Sequence, residues 1–142
     1  MRRVSIVIAV CFVLALAISL VGQGRDLDAI MKEIGPLWTT PQTGLQASIN
    51  SPTPDYAKIA ADAAKLQALF TEAEGQFSKM KMTEAAGFAK TAAEAAGATA
   101  KEAKGGKLAD AKASAGAIGQ CKACHAKFRE SDGAGGFKLK MQ

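Results

Sequence analysis

The sequence predicts an all-α fold, an antiparallel four-helix bundle, and three observations carry that expectation. Apolar residues recur at three- and four-residue spacing along four stretches, the period of a helix with one buried face. Clusters of Pro, Gly, Asn and Ser fall between these stretches, where connections belong. No stretch reads convincingly as a strand of alternating apolar and polar residues. Amphipathic helices joined by short or medium loops bury their apolar faces most simply against one another.

The first helix is expected from about Asp26 into the forties, with Asp26 as N-cap and Leu27, Ile30, Met31, Ile34, Leu37 and Trp38 forming its apolar face. Pro36 and Pro41 should bend or interrupt it, leaving Leu45 to Ile49 as a turn resumed at an angle. Asn50 to Pro54 is a connector. The second helix is expected from Asp55, turning Tyr56, Ile59, Ala60, Ala63, Leu66, Leu69 and Phe70 inward, with Glu74 to Met82 read as a loop. Thr83 and Glu84 open a third helix to about Lys104, rich in alanine and carrying Phe88 as its one large side chain. Gly105-Gly106 breaks the chain. The fourth helix runs from Lys107 through Leu108, Ala111, Ala115, Ile118, Cys121, Cys124 and Phe128, and residues 131–142 are expected as a mobile tail. Inside this helix Gly116 and Gly119 each cost about 1 kcal/mol relative to alanine. Either a flat ligand presses on the backbone there or the glycines serve ordinary helix packing.

Cys121, Lys122, Ala123, Cys124 and His125 form a C-x-x-C-H run, the pattern for covalent haem attachment. Each thiol can add across one haem vinyl group, and the adjacent imidazole can bind the iron. On a helix the two cysteines share a face, since residues three apart are neighbours. Rival chemistries fit less well. A thioredoxin-like redox pair belongs at a strand-to-helix junction, and no strand is expected nearby. A structural zinc site needs four protein ligands, and beyond the N-terminal run the chain offers two cysteines and one histidine.

The N-terminus points to where such attachment happens. Arg2 and Arg3 precede an uncharged, largely apolar run from Val4 to Gly24, the layout of an export signal. Gly22 and Gly24 imitate a small-residue cleavage site only weakly, and the run is long enough to span a bilayer, so residues 1–24 read as a signal peptide or as an N-terminal membrane anchor, tethering through residues 4–22. Cys11 lies inside the run after Val10 and reads as filler, not as a lipidated cysteine. Losing Arg2 and Arg3 lowers the formal charge from +5 to +3. Lysines and acids are interspersed along the remainder, so nucleic-acid binding is not suggested. What remains, about 118 residues, suffices for one small domain.

In Ala29 to Gly35, in Leu69-Phe70 and above all in Ile118 to Arg129, which carries C-x-x-C-H-x-x-F-R, the chain resembles the class II c-type cytochromes, the cytochrome c-prime and cytochrome c-556 family. The likeness covers the whole of residues 25–142, although the alanine-rich middle adds little. It implies a four-helix bundle with haem c bound covalently on the C-terminal helix, a periplasmic location, thioether links at Cys121 and Cys124, and His125 as an axial iron ligand. Arg129, one helical turn after His125, matches the family arginine near the haem and would screen a propionate; a solvated surface arginine is the alternative.

His125 is the only histidine, so the other axial position must hold methionine, lysine, water or nothing. Met31 falls where the c-556 members have a methionine ligand, which places this chain closer to them; an ordinary core methionine is the competing reading. Met80 and Met82, in the expected loop, and Met141, in the tail, are weaker candidates. Ligation by Met31 suits single-electron transfer to periplasmic redox partners. Without it, the iron would be five-coordinate and bind nitric oxide or carbon monoxide, with Ile30, Ile34 and Trp38 governing access. A haem domain that mainly docks to a partner enzyme is a third reading. No acid–base pair, activated nucleophile or phosphate-cradling loop supports an enzyme. Lys122 and Lys127 would steer an acidic partner or simply face solvent, and the resemblance makes a homodimer an expectation without identifying its interface.

Overall fold

The computed structural model describes residues 25–133 and 137–140; the leader expected over residues 1–24, with Cys11, and the tail methionine Met141 lie outside them. The described chain is all-α apart from one short hairpin. In order it forms α1 (Leu27–Thr39), α2 (Leu45–Ile49), α3 (Tyr56–Lys79), α4 (Thr83–Lys104), α5 (Leu108–Gly116), a 3-10 turn (Ala117–Gln120), α6 (Cys121–Phe128), β1 (Arg129–Ser131) and β2 (Phe137–Leu139).

Helix α1 starts beside Asp26, whose side chain makes no capping bond, and runs through Pro36 to Thr39. Pro36 therefore does not interrupt it. The stop falls where Thr40, preceding Pro41, takes an extended conformation. The chain then turns back at Gly44 into α2, the resumed turn that the two prolines predict. A side chain at Gly44 would meet the Thr40 amide nitrogen at 2.7 Å and its carbonyl at 2.9 Å, so only glycine lets the backbone pass this close.

Helix α3 is capped by Asp55, which accepts from the Lys58 amide at 3.0 Å, and it carries Ile59, Ala63, Leu66, Leu69 and Phe70 into the core. Tyr56, expected inward, is exposed in the first turn of the helix. The loop expected over Glu74 to Met82 is helix as far as Lys79, and Phe77 is core. The helix ends in a Schellman closure: Met82 donates to Phe77 at 3.0 Å and Lys81 to Ser78 at 3.0 Å, with Lys81 left-handed at φ 58°. After this tight turn α4 packs along α3 more extensively than any other pair of elements. Alanines make that possible. Ala85, Ala89, Ala92, Ala96 and Ala100 are buried in α4, so the two backbones approach closely, and the buried Thr99 hydroxyl donates to the Ala95 carbonyl at 2.8 Å.

Helix α4 closes in the same way at Gly106, φ 71°, where Lys107 donates to Glu102 and Gly106 to Ala103, both at 3.0 Å. The fourth helix of the sequence reading is divided: α5 gives way to the 3-10 turn after Gly116, and α6 resumes at Cys121. Ile118, fully buried, anchors the break against α4. Beyond α6, where no strand is expected, Arg129–Ser131 and Phe137–Leu139 pair as an antiparallel hairpin that sets Arg129 opposite Leu139 and Ser131 opposite Phe137. The Lys140 amide donates to the Phe128 carbonyl at 2.9 Å, fastening the hairpin to the end of α6. None of the described helices is long and apolar enough to cross a membrane.

Candidate functional site

The break between α5 and α6 swings the cysteines and histidine over one end of the α3–α4 pair, where α1 faces them. Between them lies a cavity of about 700 Å³, within the ~300–1,000 Å³ typical of small-molecule and cofactor sites. Met31, Ile34, Gly35 and Trp38 of α1 form one wall. Gly116, Gly119, Cys121, Cys124, His125 and Arg129 form another. Phe70 and Phe77 of α3, with Phe88, Ala89 and Ala92 of α4, line the apolar floor between them. A smaller hollow of about 180 Å³ shares Trp38, Gln46, Gly116 and Gly119 with it and extends to Asn50 and Lys112.

Met31, Cys121, Cys124, His125 and Arg129, the five principal site candidates of the sequence, thus meet at one cavity. Met80 and Met82 do not reach it; they flank the α3–α4 turn and pack against the core. Of the three side chains expected to govern access, Ile34 and Trp38 line the cavity, whereas Ile30 is wholly buried in the core. Phe77 went unrecognised because Glu74, Gly75 and Gln76 precede it. The signal was its spacing, since Phe70, Ala73 and Phe77 continue one helical face.

Gly116 and Gly119 both line the cavity, and a Cβ built at either would meet no atom within 4 Å, so they face open space and not a neighbouring helix.

Two contacts hold α6 in place over α4. The Lys127 ammonium meets the Glu84 carboxylate at 2.6 Å, and the Phe128 ring packs edge-on against Phe88 with centroids 6.5 Å apart. An exposed ion pair of this kind contributes about 0–1 kcal/mol, so the buried Phe128 is the stronger tie.

Cys121 and Cys124 are free thiols, the first half-buried and the second buried. Burial pushes the Cys121 thiol up to about 11, helped by its neighbour Cys124. Burial also raises Cys124, with the negative charge of Glu84 adding to the effect. His125 moves the other way: burial, then the Arg129 cation, holds its imidazole below the ordinary value. A neutral imidazole has a lone pair to give a metal. Among the described residues no group of three or more His, Cys, Asp or Glu side chains is gathered as a closed metal site. Compared with protein-family models, curated proteins and solved structures, the chain finds no match, so its chemistry rests on this cavity and the residues around it.

Proposed function

We propose that the helices form an antiparallel four-helix bundle holding one haem c, and that the protein is an exported, periplasmic electron carrier of the class II cytochrome c kind, not an enzyme. The observation that carries this reading is the meeting of Met31 with Cys121, Cys124 and His125 at a single apolar cavity, although some ninety residues separate the first from the rest. The residues fit the group. Two free thiols three residues apart, an imidazole beside them, a thioether on the facing helix and bare backbone at Gly116 and Gly119 suit a flat macrocycle with a metal at its centre.

Bound haem supplies iron that changes oxidation state by one electron. Cys121 and Cys124 would hold it by adding each S–H across a vinyl double bond, which leaves a thioether and transfers no net electron. His125, kept neutral by burial and by Arg129, and Met31 would be the side chains that supply ligands to the iron. Ile34, Trp38, Phe70 and Phe88 would keep water from the metal. Arg129 would face a propionate. Residues 1–24 would direct export, cleaved or kept as a tether, and the partners would be periplasmic redox proteins, with the protein itself dimeric.

The apolar wall that Ile34 and Trp38 add beside Met31 favours a second reading, in which five-coordinate iron binds nitric oxide or carbon monoxide. The visible spectrum of the ferrous protein, with and without carbon monoxide, separates the two. Sharp low-spin bands that carbon monoxide barely alters support the carrier. A broad high-spin spectrum that shifts on addition supports gas binding, and a purified, exported protein with no covalent haem rejects both.

A further inference from the structure

The C-terminal hairpin touches the cavity through one side chain, Arg129, and its register explains how. Arg129 opposes Leu139 and Ser131 opposes Phe137, so Arg129 and Phe137 are diagonal neighbours on one face of the ribbon. The Phe137 ring takes up that position, with the Arg129 guanidinium carbon 3.3 Å from its centroid. Three ties fix the ribbon itself: the β1–β2 pairing, the Lys140–Phe128 backbone bond at 2.9 Å, and a Lys138–Glu130 ion pair at 3.4 Å. Phe137 is otherwise hard to account for, being a large apolar side chain that is 58% exposed.

We propose that the hairpin is a positioning device: the Phe137 ring holds the Arg129 charge at the cavity rim, and that charge raises the reduction potential of haem bound there. The inference rests on the haem reading above. A fixed cation beside the iron disfavours the more positive ferric state. Its effect weakens when the side chain swings into water, where the dielectric is high and salt screens it. Phe137 is thus a positioning residue that acts only through Arg129.

The test uses the full exported holoprotein and four variants: Arg129→Gln, Phe137→Leu, Phe137→Trp and the Arg129→Gln/Phe137→Leu double. Mass spectrometry reports covalent haem, thermal melting reports folding, and redox titration gives the midpoint potential. Position 137 is largely exposed, so its variants should melt close to the parent. Arg129→Gln should shift the reduction equilibrium about threefold toward ferric iron, or about 28 mV at about 59 mV per tenfold for one electron. Phe137→Leu should move it the same way by a smaller amount, the double variant no further than Arg129→Gln, and Phe137→Trp should keep the parental value. Holoprotein in which Arg129→Gln leaves the potential unmoved, Phe137→Leu leaves it unmoved, Phe137→Trp lowers it as Phe137→Leu does, or the double variant is additive overturns the inference alone. Protein without covalent haem overturns the haem reading and the inference with it.

Discussion

The two walls of the cavity are written in the sequence in different ways. The C-terminal wall is local: Cys121, Cys124, His125 and Arg129 fall within nine residues, and their spacing alone carries the proposed chemistry, since two attachment points and a metal ligand would have to share one helical face. The N-terminal wall is tertiary. Met31, Ile34 and Trp38 occur at the spacing of any buried helix face, and a methionine ligand there cannot be told from a core methionine until the facing element is known. On the haem reading, the attachment run is therefore legible in a short stretch, whereas the residue that would complete the coordination is readable only through the fold.

The largest expected effect tests whether the local wall alone governs attachment. Replacing both Cys121 and Cys124 by alanine should abolish covalent haem, so that denatured protein retains no haem on a gel or by mass. Retention of covalent haem would mean that the C-terminal wall has been misread. Next comes the tertiary wall. Met31→Leu conserves volume and should cost less than about 1.5 kcal/mol in stability. It should leave attachment intact but convert a low-spin spectrum to a high-spin one that responds to carbon monoxide. A low-spin spectrum unchanged by Met31→Leu would make Met31 a core residue, and the two walls would then differ in function as well as in legibility.

Legibility tracked the range of the interaction elsewhere too. The boundaries of α4, its break at Gly105-Gly106 and the resumed turn after Pro41 were readable because glycine and proline act on their own backbone. The end of α3 was not. It closes on Lys81 in the left-handed region, where glycine is the usual signal, and the polar run before Phe77 hid a helix held by burial of that ring. The hairpin was unreadable for a related reason, since Arg129 to Ser131 and Phe137 to Leu139 are too short to show a period and are strands only through each other.

A smaller effect separates the surface of the C-terminal wall from its chemistry. Gly116 has helical backbone angles and open space where a Cβ would stand. In the haem-free chain Gly116→Ala should therefore stabilise by about 0.4–1 kcal/mol, seen as a higher melting temperature. Gly116→Leu, which projects into the cavity, should reduce haem loading while the haem-free chain still folds. Destabilisation by Gly116→Ala would restore the helix-packing explanation for this glycine.

The smallest effect concerns the thiols before attachment, and it distinguishes a C-terminal wall that is already buried from one that the guest must close. Cys121 in the folded chain is raised to about 11 from an ordinary value of 9.0, chiefly by burial. Unfolding exposes the thiol and returns it to the lower value, so between the two the unfolded state loses its proton first. Stability from this group is then fully present below about pH 9 and declines as the pH rises toward 11. Alkylation of Cys121 in the haem-free chain, followed by peptide mass spectrometry, should show a midpoint well above that of a free cysteine, and denaturant should lower it. A midpoint unchanged by denaturant would mean that the wall is open in the absence of its guest, so that attachment and burial of Cys121 happen together.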